Sequence, residues 1–142
     1  MSKSGFTFRV EENFEFSLDK KAEIVKWIKK VLKQEGKTSG TISYLFCSDD
    51  YLLSINRQFL QHDFYTDIIT FDYSEKNKIE GEIFISTDRV KENAKTFKQP
   101  FERELMRTII HGILHLCGYM DKLPKDKKVM TAKENEALKL LL

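Results

Sequence analysis

Histidine and cysteine are scarce in this chain, with three of the first and two of the second in 142 residues. Two cysteines, Cys47 and Cys117, make no disulfide framework, and such sparing use suits a reducing compartment. Apolar runs are short, and none approaches the roughly 20 residues that a membrane-spanning helix needs. The segment from Met1 to Phe8 lacks the apolar core of a secretory signal, which leads to an expectation of a cytoplasmic protein. There is no internal repeat, low-complexity tract or linker long enough to divide the chain, so residues 1–142 are expected to form one domain. The formal net charge is only +2, so composition does not announce a nucleic-acid binder, and any such function must rest on local charge.

What is present is a folding composition, with 41% hydrophobic and 32% charged residues. Short runs of period two alternate with amphipathic helical stretches. Phe6 to Val10, Thr41 to Cys47, Asp67 to Tyr73 and Glu82 to Ser86 read as strands, the last two joined across a polar turn. Helices are expected from a Ser17 cap to about Glu35, from a Ser48 cap to about Phe59, and from Thr87 or Asp88 to about Phe97. Two more are expected over 101–117, behind Pro100, and over 134–142. Ile24, Val25, Ile28, Val31 and Leu32 form one apolar stripe on the first helix, and Gly36 is its natural stop. Strands interleaved with helices predict a small α/β (α+β) domain, a mixed sheet of about four strands packed with helices.

The helix over 101–117 is the centre of the functional reading. Leu105, Met106, Ile109, Ile110, Ile113, Leu114 and Leu116 make it apolar nearly all round, so it should be central. Glu104, Arg107, Thr108, His111 and His115 then form a polar stripe that is costly to bury unless paired or ligating. His111 and His115 are four residues apart and so share a helix face, where two imidazoles can converge on one ion. Gly118 can end the helix in the left-handed conformation and return Asp121 toward the pair. Two histidines, one carboxylate and an open fourth position hold a catalytic zinc. Gly112 stands where the zinc-protease pattern has its general-base glutamate, which argues against peptide hydrolysis and leaves metal-assisted cleavage of another bond.

The run His111-Gly112-Ile113-Leu114-His115-Leu116-Cys117-Gly118-Tyr119 closely resembles the signature of the YbeY family, bacterial rRNA maturation factors described as metal-dependent endoribonucleases. Ile55-Asn56, then Asp63, then Thr66-Asp67-Ile68-Ile69-Thr70-Phe71 resembles the family's Leu-Asn…Asp…Thr-Asp-Val-Leu-Ser-Phe block, and Gly81-Glu82-Ile83 its Gly-Asp-Ile strand. The resemblance spans about Ile55 to Asp121 and carries two departures. The family pattern ends Gly-Tyr-Asp-His, with the last histidine a zinc ligand; Met120 stands for that Asp and Asp121 for that His. A carboxylate there would make a bound water less acidic than a third imidazole would. The family arginine, thought to act on the phosphate backbone, is replaced by Leu60, with Arg57 one helical turn earlier.

The resemblance implies a zinc (or nickel) endoribonuclease acting on single-stranded RNA in small-subunit rRNA maturation and ribosome quality control, with the small subunit or its proteins as partners and no membrane. His111, His115 and Arg57 are the implied catalytic residues, with His111, His115 and Asp121 the metal ligands. Lys122, Lys125, Lys127 and Lys128 read either as cations holding the RNA backbone or as a solvated loop. Arg57 reads equally as a solvated helix residue, and His62 as a cleft acid or base or as a loop histidine without a role. Thr66 and Asp67 are expected beneath the metal, Asp67 as a partner of a ligand or as a plain strand cap. Phe59, Phe64, Tyr65, Phe71 and Tyr73 are candidates for stacking on bases or for the core. Two other classes remain: a non-catalytic ribosome-assembly factor with structural zinc, kept open by Leu60, and a small metalloprotease, disfavoured by Gly112.

Overall fold

The β-branched and aromatic runs of period two become the strands of one sheet. The computed structural model describes residues 5–141; the parts of the terminal expectations that fall on residues 1–4 and on Leu142 lie outside the described residues. The strands are β1 (Gly5–Val10), β2 (Thr38–Cys47), β3 (Ile68–Asp72) and β4 (Lys78–Ser86), in the spatial order β1-β2-β4-β3. β1 and β4 both run parallel to β2, and β3 returns antiparallel to β4 across the polar turn. The mixed four-stranded sheet expected from the sequence is therefore present. Ile42, Tyr44 and Phe46 of β2 and Ile79, Ile83 and Ile85 of β4 point alternately into the main core.

Five helices cover the sheet: α1 (Lys21–Gln34), α2 (Asp49–Leu60), α3 (Thr87–Thr96), α4 (Phe101–Leu116) and α5 (Pro124–Lys139). Ser48 caps α2 as anticipated, its side chain accepting from the Tyr51 N–H at 3.2 Å. Ser17 does not cap α1. The helix begins at Lys21 behind Lys20, whose φ is 58°. Leu18 is buried in the core and Phe16 packs on Phe46 at a centroid distance of 4.9 Å, so tertiary contacts hold this segment outside the helix. At the other end Gly36 takes φ 70° and stops α1 as expected. The last helix starts ten residues before its expected position, at Pro124 rather than Glu134. Its opening turns are charged and its buried residues are few, so periodicity marks only the second half.

α4 is the central helix. Ile109, Ile110 and Ile113 are fully buried, each contributing about 1.5–3 kcal/mol relative to exposure. Two buried polar links fix its surroundings. Tyr44 O–H donates to the Ile109 carbonyl at 2.9 Å, tying β2 to α4, and Trp27 Nε1–H donates to the Ala137 carbonyl at 2.7 Å, tying α1 to α5. Gly112 lets α4 rest directly on the sheet: a Cβ there would lie 3.0 Å from Ile83 Cδ1 and Cγ2 and 3.1 Å from Ile68 Cδ1. The protease-type glutamate is thus sterically barred, because the face it would occupy is the face that packs on β3 and β4. Gly112→Ala is expected to lower stability by about 1–3 kcal/mol through overpacking, seen as a lower urea midpoint. An unchanged midpoint would mean that Ile83 has room to move.

Candidate metal centre

α4 ends in a turn that builds the site. Gly118, at φ 105°, donates its N–H to the His115 carbonyl at 2.9 Å, and Tyr119 N–H reaches back to the Leu114 carbonyl at 3.0 Å. These two bonds form a Schellman motif, and an L-residue at position 118 would be strained in it. The turn brings the Tyr119 carbonyl to 2.9 Å from His115 Nδ1. A carbonyl only accepts, so His115 Nδ1 is the donor in this contact and Nε2 is the ring nitrogen left for a ligand. Tyr119 is itself pinned, its O–H donating to Glu35 Oε1 at 2.6 Å at the end of α1. Lys133 of α5 pairs with the same Glu35 carboxylate at 3.3 Å.

His111, one helical turn earlier, is oriented from the opposite side. Its Nδ1 lies 2.6 Å from Glu134 Oε2 on α5. Glu134 is only 6% exposed, and Arg107 donates to its other oxygen at 2.8 Å and to Asn135 Oδ1 at 2.7 Å. Both remaining ring nitrogens, His111 Nε2 and His115 Nε2, then face Asp121 Oδ2, each at 3.2 Å. The two rings stand edge to face with centroids 4.6 Å apart. One donor atom from each of His111, His115 and Asp121 lies within 4.8 Å of the others, a group that could hold a metal ion. The donor chemistry fits a divalent ion: two imidazoles, each hydrogen-bonded through its far nitrogen, and one carboxylate.

The electrostatics agree with that arrangement. Burial alone pulls the His111 imidazole down, but the Glu134 hydrogen bond and the charges of Glu134, Asp67 and Asp121 together raise it above its ordinary value. Burial raises the Asp67 carboxyl, against the opposing pull of His111. Excess negative charge gathers around two histidines, where a bound cation would be stabilised. Beside the donors lies an open cleft of about 440 Å³ between α3, α4 and α5.

The family model described as "Endoribonuclease YbeY" matches residues 9–141. This chain belongs to the YbeY family. A relative from Phocaeicola vulgatus, named endoribonuclease YbeY, is 58% identical over 122 residues, covering 86% of this chain and 88% of its own length. One from Cytophaga hutchinsonii with the same name is 51% identical over 134 residues, covering 94% of both chains. A solution structure of a Thermotoga maritima protein is also similar, with a TM-score of 0.65 at 29% identity, over 96% of this chain and 89% of that one. The recognition made from the His111–Tyr119 run therefore stands.

The residues singled out by the sequence are distributed unevenly about the cleft. His111 and Asp121 line it together with Asp67, whose carboxylate accepts from Asn93 Nδ2 at 3.4 Å rather than from a histidine. Thr66 is half-buried at the mouth of β3, its hydroxyl directed at the Ile68 carbonyl. The lysines expected on a loop sit partly on α5: Lys125, Lys127 and Lys128 occupy its first turns and Lys122 precedes it. All four are exposed, and Lys127 is the one that lines the cleft. Arg57 is seated outside the cleft lining, on α2, where its Nε donates to Asp63. His62 is exposed and stacks on Phe64 at 5.1 Å, also outside that lining. Cys117 is partly buried, and burial pushes its thiol up to about 11, which suits packing rather than ligation.

Glu134 is the important residue that sequence reasoning missed. The expected partner of a ligating histidine was Asp67, but the carboxylate in contact is Glu134. A signal was available: Met130, Glu134, Ala137 and Leu138 share one face of α5, so an acidic residue interrupts an apolar stripe opposite the polar stripe of α4. Glu134→Gln is expected to weaken divalent-metal affinity about 10–100-fold, read by chelator competition. Asp67→Asn should change it far less; equal losses in the two variants would contradict the assignment of Glu134 as the histidine partner.

Proposed function

We propose that this chain is a divalent-metal-dependent endoribonuclease that cuts single-stranded RNA. Zinc is the proposed ion, with nickel suited to the same donors, and small-subunit rRNA maturation and ribosome quality control in the cytoplasm the proposed setting. The carrying observation is the convergence of His111 Nε2, His115 Nε2 and Asp121 Oδ2 beside an open cleft. Membership of a family whose relatives are named endoribonuclease YbeY supports RNA as the substrate. Among the described residues no helix is long and apolar enough to cross a membrane.

A divalent ion at this position supplies Lewis-acid chemistry to a phosphoryl oxygen or an attacking water. The chain's own residues do the rest. His111, His115 and Asp121 would hold the ion. Glu134 and the Tyr119 carbonyl fix the two imidazole planes, so the Nε2 atoms are aimed before anything binds. Lys127 at the cleft edge attracts the phosphate backbone by charge, with Lys122, Lys125 and Lys128 extending the positive surface beyond it. Arg107 is held by Glu134 and Asn135 and serves to position Glu134 rather than to reach a phosphate.

The assembly-factor reading draws support from Leu60 at the family arginine's position and from Arg57 lying outside the cleft lining. One assay separates the two. Purified wild type is expected to cleave single-stranded RNA, to stop when chelated, and to resume on addition of zinc. His115→Ala should lose metal and cleavage together while keeping its fold by circular dichroism. Full metal-dependent cleavage by His115→Ala would overturn the site, and RNA binding without cleavage in the wild type would favour the assembly factor. Casein should remain intact throughout.

A further inference from the structure

The cleft beside the metal donors is lined by one aromatic ring, and that ring is exposed. Phe97 is the C-cap of α3, with 60% of its surface open. Its support is stiff. Gln99 N–H returns to the Ala94 carbonyl at 2.9 Å, Lys98 N–H to the Lys95 carbonyl at 3.2 Å, and Pro100 follows at once. Lys98 holds φ 55°, a left-handed conformation unfavourable for a lysine, in order to make this turn. The backbone that carries the ring is thus held in a defined turn at the cleft.

Other groups lining the cleft suit a nucleotide. Met130 is buried and gives an apolar floor. Asn93 donates its amide to Asp67, and its Oδ1 takes no partner among the described residues, so it is available to a base edge. The exposed Thr131 hydroxyl is a second such group, and Lys127 carries a charge with no ion-pair partner among the described residues. A π-face, an apolar floor, hydrogen-bonding groups and a cation thus adjoin His111 and Asp121 in about 440 Å³, within the range of small-ligand pockets.

We infer that the cleft holds a nucleobase pocket, in which Phe97 stacks on a base next to the bond that is cut. The inference rests on the endoribonuclease reading and supplies its strand selectivity. In a duplex the base faces are covered by neighbours and the Watson–Crick edge by the partner strand, so only an unpaired nucleotide can enter. Stacking tolerates every base, while the Asn93 and Thr131 groups bias the choice toward edges that complement them.

The test is the affinity of a fluorescently labelled single-stranded RNA, measured by anisotropy with chelator present so that nothing is cut. Phe97→Leu keeps apolar bulk but loses the π-face, and binding is expected to weaken about tenfold. Phe97→Tyr and Phe97→Trp should stay within about twofold of wild type. A set of RNAs carrying one abasic nucleotide, moved along the strand, should include a position that weakens wild type but not Phe97→Leu. In Phe97→Trp the new indole should be quenched on RNA addition, with Trp27, buried at 3% exposure, as a constant background. Equal RNA affinity in wild type and Phe97→Leu, with wild type still cleaving, would overturn the pocket alone. A wild type that neither binds nor cleaves single-stranded RNA would overturn the endoribonuclease reading and the pocket with it.

Discussion

Both imidazoles of the candidate metal centre are held by their far nitrogens, and most of the remaining structure serves that constraint. His115 Nδ1 is fixed by a main-chain carbonyl in a glycine turn, and His111 Nδ1 by a carboxylate on another helix. The first anchor needs Gly118 in a left-handed conformation and Tyr119 tied to Glu35. The second needs α5 docked so that Glu134 is buried against α4, a docking supported by Trp27 from α1. Three helices are therefore committed to the direction of two imidazole rings. Rings fixed in advance lose little freedom when an ion binds, which favours affinity and defined geometry.

Packing sets the second constraint. A side chain at Gly112 would press on Ile83 and Ile68, so the glycine suits the close approach of α4 to β3 and β4. That closeness puts the histidine face at the rim of the core and turns the opposite face into the sheet. It also removes the position from which a zinc-protease glutamate would act. Under the proposed function, an ion at the centre would supply the activation that such a glutamate supplies elsewhere.

Much of this was legible in the sequence wherever the signal was local. The period-two runs gave the four strands, Ser48 gave a cap, and the spacing of His111, His115, Gly118 and Asp121 pointed to a group that could hold a metal ion. What was not legible depended on contacts distant in sequence. Ser17 looked like a cap until Phe16 and Leu18 were engaged by the core. α5 was legible only in its second half, because its opening turns bury almost nothing. Glu134 gained meaning only through a helix 23 positions from His111 in sequence. Arg57 matched the family arginine by proximity along the chain, while the fold turns it toward Asp63. Phe97 was legible as a helix end, but only the fold places it at the cleft.

Metal content tests the central claim most directly. Purified wild type, His111→Ala and Asp121→Ala, each dialysed against zinc and then against metal-free buffer, would be measured by elemental analysis. The account predicts about one zinc per chain in wild type, none in His111→Ala, and a weakened, readily dialysed site in Asp121→Ala. A folded wild type that retains no zinc and takes up no nickel would contradict it, and so would full retention by His111→Ala.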